Sequence, residues 1–180
     1  MYNDFVIVGP PDDPAGIRGQ ADALAALRQI AARGSPFIGR GDNSGMQQLE
    51  LALWDEAGVA PRGQRWYVES GTGMGQTLQL ADQRRAYTLS DRGTYLAFQG
   101  RVALAILAER DERLRNLYHV IAVNPERFPR VNAAGARAFV DFLLAPETQR
   151  VIGEFGRERH GEPLFAPCAR NSCGLTDPKD

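Results

Sequence analysis

A turn-rich stretch spanning residues 35–50 holds the side chains best suited to binding a small ligand. Its sequence, SPFIGRGDNSGMQQLE, predicts a short strand at Phe37 and Ile38, then a glycine-rich loop, then a helix that opens at Met46. The start of a helix leaves backbone N–H groups unpaired and carries the positive end of the helix dipole. A loop in this position can therefore receive an anion.

Two side chains of this loop, those of Arg40 and Ser44, would strengthen such a site. Arg40 offers a planar, permanently charged set of donors, and Ser44 offers a hydroxyl. The alternative is that Asp42, Asn43 or Ser44 only caps the helix and that the glycines serve a tight turn. Spacing alone leaves both interpretations open.

A second arginine, Arg92, is predicted at a similar place further along the chain. Residues 85–89, RAYTL, have the composition of a strand, and Ser90 followed by Asp91 predicts the start of a helix. Arg92 would then lie in the first turn, where a cation opposes the helix dipole. Either a bound anion or a salt bridge to a carboxylate such as Asp91 or Asp111 would explain this placement.

The elements around these loops alternate between strand and helix. Residues 4–9 form an apolar run that ends at two prolines, and residues 20–32 have the apolar spacing of a helix closed by Gly34. Alternation of this kind predicts an α/β sheet covered by helices on both faces, with ligands at the carboxyl ends of the strands. The loops after Ile38 and Leu89 would both lie at that edge.

The second half of the chain contains two further apolar runs, at 104–108 and 118–123, and two predicted helices. The second run would place His119 in the core or at a hinge. Asn132 and Pro146 mark the starts of the helices. Their apolar faces, expected to point inward, contain Ala136, Phe139, Val140, Leu143, Val151, Ile152 and Phe155.

The composition excludes several classes of protein. With 180 residues, 43% of them hydrophobic, the chain can bury a core, and its net charge of −1 provides no overall field for nucleic acid. No apolar run is long enough to span a membrane, and the N-terminus lacks the features of a signal peptide. Beyond Gly161 the pattern predicts a poorly ordered tail, apart from Leu164 and Phe165. In an oxidising compartment Cys168 and Cys173 could form a small disulfide.

Motifs of other functions are weak or absent. The glycines of GTGMG, residues 71–75, do not have the GxGxxG spacing of a dinucleotide site and are predicted to serve a turn or close packing. GxSxG, HExxH and P-loop motifs are missing, which argues against a hydrolase or transferase, as do the positions of His119 and His160. Residues 40–42 spell the cell-adhesion tripeptide Arg-Gly-Asp, but a tripeptide recurs by chance.

Five blocks of the sequence, occurring in one order, resemble the tungstate-binding proteins of ABC importers, which are two-lobed periplasmic-type receptors. The blocks are MYNDFVIVGPPDDPAGIRG, FIGRGDNSGMQQLE, WYVESGTGMGQTLQLAD, AYTLSDRGTYLAF and LYHVIAVNPERFPRVN. The resemblance covers residues 1–167 and implies an α/β periplasmic-binding-protein-like fold of type II, with one complete lobe and part of the other. It implies that residues 10–118 form the second ligand-binding lobe, that residues 1–9 and 119–167 form hinge strands and part of the first lobe, and that residues 168–180 form a tail.

By this resemblance the chain would be the substrate-binding component of an ABC transporter for a tetrahedral oxyanion, tungstate or molybdate. It would work with a membrane permease in the periplasm or outside the cell, and it would perform no chemistry and need no metal or cofactor. The expected donors to the oxyanion are Arg40, Ser44, the backbone N–H groups of Gly45 and Met46, and Arg92.

An alternative from another class is an interaction or regulatory module of the same fold that has lost ligand binding. The family's motif resembles Ser-Arg-Gly-Asp-x-Ser-Gly-Thr, whereas this chain has Gly39 and Met46 in place of the flanking hydroxyl residues. With only part of the first lobe, the apolar faces of the two C-terminal helices would also lack partners. They predict either a homodimer formed through those helices or pairing with a separate N-terminal part.

Overall fold

The computed structural model describes residues 1–169 and forms two compact units. The larger unit contains residues 4–115, and the smaller unit contains residues 1–3 and the described residues from 116 onward. The chain therefore leaves the smaller unit once and returns to it once.

Strands and helices alternate through the larger unit, as the sequence predicts. In chain order they are β1 (Tyr2–Gly9), α1 (Ala23–Arg33), β2 (Phe37–Gly39), α2 (Gly45–Glu56), β3 (Tyr67–Glu69), α3 (Met74–Gln83), β4 (Thr88–Asp91), α4 (Arg92–Phe98) and β5 (Ala105–Ala108). The helix predicted to open at Met46 begins one residue earlier.

The strands form two paired groups. β1 lies between β4 and β5 and runs antiparallel to both. β2 and β3 are parallel, with Phe37 opposite Tyr67, and Phe37 also forms a parallel bridge with Tyr87, just before β4. The carboxyl ends of β2, β3 and β4 consequently meet at one edge, from which the loops that follow them leave.

Most of β1 is buried on both faces, and its alternate residues pack into different layers. Phe5 and Ile7 of β1 join the main hydrophobic cluster with α1 and α2, whereas Val6 and Val8 are fully buried outside that cluster. α3 packs against β2 and β4. Each buried side chain of this size contributes about 1.5–3 kcal/mol. The predicted fold class, an α/β sheet covered on both faces, is confirmed.

β4 begins later than the sequence predicts. The pattern indicates a strand over 85–89, but Arg85 has a φ of 50° and lies in a turn. The strand occupies Thr88–Asp91 instead, and Asp91 caps α4 by accepting a hydrogen bond from the N–H of Thr94 at 2.7 Å. The predicted start of a helix directly after this strand is confirmed.

The smaller unit is mostly helical. The chain enters it through β6 (Arg115–Leu117) and continues with α5 (Ala133–Leu144), α6 (Pro146–Glu154) and α7 (Arg157–His160). The predicted starts of two helices are confirmed, since Asn132 caps α5 and Pro146 is the first residue of α6. α7 is not predicted by the pattern of the sequence.

Residues 118–123 do not form a strand, contrary to the hinge strand expected there. No hydrogen bond in the described chain reaches the backbone of residues 119–123, and Ile121 is 85% exposed. His119 is exposed too, so its expected place in the core is wrong. An apolar run becomes a strand only when another strand takes up its backbone groups.

Large apolar side chains of the smaller unit remain exposed. α5 and α6 contain no buried residue, so the inward-facing positions predicted for them are wrong. Every exposed large hydrophobic side chain among the described residues belongs to this unit: Tyr118, Val120, Ile121, Val123, Phe128, Phe139, Phe142, Val151 and Phe155. The predicted lack of partners for the C-terminal helices is confirmed for the described residues.

The segment after Gly161 is more regular than predicted. Ala166 forms an antiparallel bridge with Tyr2. Cys168 is disulfide-bonded, and its N–H donates to a side-chain oxygen at 2.8 Å. The rest of the predicted tail from residue 170, Cys173 included, lies outside the described residues.

Candidate functional site

The loop between β2 and α2 presents open backbone donors at a helix start. α2 begins at Gly45, and Ser44 caps it by accepting a hydrogen bond from the N–H of Gln47 at 3.3 Å. The N–H groups of Gly45 and Met46 have no acceptor within residues 1–169. Ser44 is therefore a cap, and the open N–H groups that an anion site needs are present beside it.

Arg40 lies at the start of this loop with its side chain largely buried. Its Nη2 donates to Asp42, and the side chain is 16% exposed. Its Nε is buried and has no hydrogen-bond partner among the described residues. A buried donor left unpaired costs about 1–3 kcal/mol, and more when the group is charged. The guanidinium thus retains a donor for which the described chain supplies no acceptor.

Asp42 gathers the other polar groups of the loop. Its Oδ2 accepts from Arg40, while its Oδ1 accepts from the N–H and the hydroxyl of Ser44, at 3.2 and 2.7 Å. The hydrogen bond from the Ser44 hydroxyl is the main reason why the pKa of Asp42 lies below its usual value, and Arg40 acts in the same direction. An entering anion would have to share the donors of Arg40 and Ser44 with this carboxylate.

The loop between β3 and α3 lies directly beside the β2–α2 loop. The carbonyl oxygen of Arg40 accepts hydrogen bonds from the N–H of Gly71 and the hydroxyl of Ser70, at 2.8 and 3.0 Å. Gly41, with a φ of 69°, approaches Glu69 so closely that an added Cβ would lie 2.6 Å from the Cβ of Glu69. These contacts fix the two loops side by side.

The start of α3 repeats the arrangement at the start of α2, which the sequence analysis missed. Gly73 is its N-cap and supplies no side-chain bond, and the N–H groups of Met74 and Gly75 have no acceptor in the described part of the chain. The predicted packing role of these glycines is confirmed at Gly75, where a Cβ would lie 2.4 Å from the ring of Phe98. The shared order of strand, glycine-rich loop and helix is the signal that links the two segments.

Two buried polar side chains of α2 support the first loop. The side-chain oxygen of Gln47 accepts from the N–H of Asn43 at 2.5 Å. Glu50, which is 1% exposed, accepts from the Tyr67 hydroxyl at 2.7 Å and from the N–H of Arg40 at 3.4 Å. Burial raises the pKa of Glu50 to about 7, against the opposing effect of these hydrogen bonds.

Arg92 is occupied by two carboxylates. Its Nε and Nη2 donate to the two oxygens of Asp4 at 2.8 and 2.7 Å, and Nη2 also donates to Glu109 at 2.5 Å. The hydrogen bonds from Arg92 to Asp4 contribute most to raising the pKa of the guanidinium. No hydrogen bond or ion pair joins Arg92 to residues 40–46 within the described chain.

The salt-bridge interpretation of Arg92 is confirmed, but the partners suggested by the sequence, Asp91 and Asp111, are wrong. Asp91 caps α4. Asp111 accepts from the N–H of Ala23 at 2.7 Å and pairs with Arg113. Both carboxylates are therefore engaged elsewhere, and Arg92 pairs with Asp4 and Glu109 instead.

The site therefore consists of N–H, hydroxyl and guanidinium donors, a set suited to a compact oxyanion. Within residues 1–169, no group of three or more His, Cys, Asp or Glu side chains could hold a metal ion. Over the same residues, none of the helices is sufficiently long and apolar to span a bilayer.

Comparison with protein families and curated proteins gives a consistent result. A family model described as a PBP superfamily domain matches residues 1–147. The tungstate-binding protein TupA of Peptoclostridium acidaminophilum is 46% identical over 171 residues, covering 94% of this chain and 59% of that protein. A putative ABC transporter anion-binding protein of Haloferax volcanii is 48% identical over 174 residues, covering 94% of this chain and 50% of that protein. The chain thus spans between half and three fifths of the length of these relatives.

Solved structures agree with the sequence relatives. A tungstate-binding protein, TupA, from Desulfovibrio alaskensis G20 matches with a TM-score of 0.86 at 43% identity, covering 94% of this chain and 69% of that one. A structure described as the tungstate ABC transporter from Geobacter sulfurreducens matches with a TM-score of 0.74 at 49% identity, covering 86% of this chain and 66% of that one.

Proposed function

This chain belongs to the PBP superfamily, in which it groups with the TupA-like proteins, and on that premise we propose that it binds a tetrahedral oxyanion, tungstate or molybdate. It acts as the substrate-binding component of an ABC transporter, in the periplasm or outside the cell. It performs no chemistry on the ligand.

This proposal rests mainly on the hydrogen bonding of the Arg40 guanidinium. Its guanidinium is largely buried, yet its Nε has no acceptor among the described residues. The open N–H groups of Gly45 and Met46 begin α2 at the end of the same loop. An oxyanion offers several acceptor oxygens on one small centre, so it would satisfy these donors together.

We assign the oxyanion donors to Arg40, to Ser44 and to the N–H groups of Gly45 and Met46. Arg92 is the weakest member of the set, because an anion would have to compete with the two carboxylates that already bind its guanidinium. Ser44 also has to exchange a bond, since its hydroxyl donates to the loop carboxylate in this structure.

The relatives guide the assignment of the units. We propose that residues 10–118 serve as the second ligand-binding lobe and that residues 1–9 and 119–167 serve as the hinge segments and part of the first lobe. The names of the relatives mention tungstate binding and ABC transport, which supports our proposal of a membrane permease as the partner of the ligand-loaded protein.

We further propose that the smaller unit binds a second copy of this chain through α5 and α6. Phe139 and Phe142 of α5 and Val151 of α6 are 57%, 59% and 51% exposed, and soluble monomers rarely leave large apolar patches uncovered. The backbone of residues 119–123, which forms no hydrogen bond among residues 1–169, would add strand pairing to that contact.

Light scattering behind size-exclusion chromatography tests this contact. The proposal predicts a dimer for the natural chain and a monomer for Phe142→Asp, while Phe128→Asp, an exposed position outside both helices, should leave the dimer intact. A monodisperse monomer of the natural chain would contradict it.

The alternative function, an interaction or regulatory module without a ligand, has one observation in its favour. The carboxylate of Asp42 accepts from both Arg40 and Ser44, so an internal anion already uses part of the donor set. On this alternative, replacing Arg40 would not change any interaction with free oxyanions.

Isothermal titration calorimetry with tungstate, molybdate, sulfate and phosphate separates the two functions. We expect binding of the larger oxyanions by the natural chain and a loss of about a hundredfold or more in affinity for Arg40→Ala, as for a removed charge-assisted donor pair. Arg110→Ala is the matched control, because this arginine is 83% exposed. A folded natural chain that binds none of these anions would rule out the proposed function for this chain.

A further inference from the structure

The group beneath the anion loop that most needs an explanation is the carboxyl of Glu50. It is 1% exposed, and no ion pair within the described chain gives it a cationic partner. Glutamate is almost never fully buried unless it is paired, because the charged form loses its hydration. The carboxyl of Glu50 lies on the inward face of α2, where a leucine would otherwise pack. We therefore expect it to make a specific contact.

The contacts of Glu50 are with the end of β2 and with β3. One oxygen accepts from the hydroxyl of Tyr67 at 2.7 Å, and the other accepts from the N–H of Arg40 at 3.4 Å. A Cβ added to Gly39 would lie 2.2 Å from that hydroxyl and 2.7 Å from the carboxyl. The carboxyl and the tyrosine thus pack directly against the backbone where the loop begins.

We propose that Glu50 is a positioning residue of the anion site, acting through the backbone N–H of Arg40 and the hydroxyl of Tyr67. This inference rests on the proposed function, because the loop it positions is the proposed anion-binding loop. The carbonyl of Arg40 is held by Ser70 and Gly71, so Glu50 supplies the contact on the N–H side of the same residue. With both sides of its backbone held, the arginine side chain starts from a fixed point.

Gln47, one turn earlier on the same face of α2, does the same for the other end of the loop. Its oxygen accepts from the N–H of Asn43, and its nitrogen donates to Glu69 at 3.2 Å. Glutamine at this helix position commonly bonds the backbone N–H of the cap residue itself, but here Asp42 accepts from the N–H of Ser44 and Gln47 reaches one residue further back. Both ends of the loop are therefore tied to buried side chains of one helix.

Because Glu50 can change its charge, its positioning role can be tested through the pH dependence of anion affinity. The titratable and charged groups that face it are Tyr67 and Glu69 from β3, Arg40 from the loop, and Arg62, which pairs with Glu69. Burial is the main cause that raises the pKa of Glu50 to about 7, and Glu69 adds to it. A dianion bound by the loop favours the uncharged carboxyl, so affinity should fall as pH rises through 7.

The test uses three variants of α2 in the whole chain. Glu50→Leu removes the acceptor, whereas Glu50→Gln keeps an oxygen for the N–H of Arg40 and lets the Tyr67 hydroxyl turn and accept. Asp55→Leu, an exposed carboxylate of the same helix, is the matched control. For each variant, hydrogen exchange of residues 39–45 is measured without ligand. The affinity for tungstate is measured by calorimetry between about pH 6.5 and 8.5, a range in which buried carboxyl groups titrate.

We expect Glu50→Leu to speed exchange in residues 39–45 and to weaken tungstate binding by about tenfold or more, because the variant leaves the backbone N–H of Arg40 without an acceptor. Glu50→Gln should retain the affinity that the natural chain has at low pH and lose the pH dependence. Asp55→Leu should match the natural chain in both measurements.

Unchanged exchange in Glu50→Leu, or a pH profile of Glu50→Gln identical to that of the natural chain, would overturn the proposal. If the natural chain binds no anion, the proposed function fails, and the exchange of residues 39–45 then decides the positioning role by itself. If Glu50→Leu does not fold, Tyr67→Phe replaces it, and unchanged exchange in that variant would overturn the proposal as well.

Discussion

Arg40 and Arg92 follow strands at the same edge of the larger unit, and the sequence suggests the same role for both. Their surroundings differ in one respect. Arg92 has two carboxylate partners, Asp4 and Glu109, at hydrogen-bond distance. Arg40 has a single carboxylate partner, and its buried Nε has no acceptor in the part of the chain that the structure describes.

This difference shows that the position of an arginine at a helix start does not identify an anion site. What identifies an anion site is whether the donors of the arginine lack partners, because a guanidinium already bound by two carboxylates gains little from another anion. The carboxyl groups differ in the same way, since Glu50 near Arg40 forms no ion pair with any described residue, whereas Asp4 pairs with Arg92.

The largest difference between the two regions should be in the pH dependence of stability, through Glu50. Its pKa rises from 4.5 to about 7 on folding, so the folded state binds more protons than the unfolded state between these values. The free energy of unfolding should therefore fall as pH rises through this window, by up to about 3 kcal/mol, and stay level above it.

Denaturant titrations at several pH values would measure this slope in the natural chain and in Glu50→Gln, which should lack it. An equal slope in both proteins would assign the effect to other groups and would remove the contrast between the two carboxyl environments.

Arg92→Ala should show the next largest effect, and on stability rather than on affinity. The variant leaves Asp4 without its cation and leaves Glu109 with only the exposed Arg110, at sites less than a third exposed. This should cost about 2 kcal/mol, between the values for exposed and buried pairs. Thermal unfolding measures the loss, and tungstate affinity at a temperature where the variant is folded should change by less than about twofold.

Arg85→Ala is the control for this prediction, because its pair with Asp12 is more than half exposed on both sides and should be worth about 0.5 kcal/mol. If Arg92→Ala instead abolishes tungstate binding, Arg92 belongs to the site on equal terms with Arg40, and the comparison fails.

Local signals in the sequence predict local structure well in this molecule. Ser44 and Asn132 cap helices, and Gly34 ends one in a left-handed conformation, because each of these roles depends on residues within one turn. The candidate loop, with Arg40 at its start, is recognisable for the same reason.

Contacts between residues that are distant in sequence could not be predicted from the sequence alone. Arg92 pairs with Asp4, 88 positions earlier, and with Glu109, whereas the two carboxylates that the sequence suggests, Asp91 and Asp111, have other partners. The neighbouring β3–α3 loop lies beside Arg40 only because β2 and β3 pair in parallel, and strand pairing is not encoded in either segment alone. Residues 118–123 have the composition of a strand but lack a pairing partner among the described residues.

Gly39→Ser tests whether the loop can regain a hydroxyl that the family motif carries. A Cβ there would lie 2.2 Å from the hydroxyl of Tyr67 and 2.7 Å from the carboxyl of Glu50, so we expect a loss of stability of about 1–3 kcal/mol from overpacking. Thermal unfolding measures it, with Gly73→Ala as the control, since nothing lies within 4 Å of an added Cβ at that position. Unchanged stability would show that the contact between Glu50 and the strand end is loose.

Met46→Thr should have the smallest effect, and the only favourable one. Met46 lies at the open start of α2 and is partly buried against the core, so a threonine would lose some packing but place a hydroxyl donor beside the unpaired N–H groups. A hydrogen bond to an anion is worth about 1.5–3 kcal/mol, and the lost packing offsets part of it, so we expect a net gain of about two- to tenfold in tungstate affinity. Calorimetry of Met46→Thr against Met46→Val, which has the same shape without the hydroxyl, isolates this donor. A gain in the threonine variant alone would place the ligand at the start of α2, next to Arg40. Equal affinities in the two variants would place the ligand elsewhere. The Nε of Arg40, which has no acceptor among the described residues, would then need another explanation.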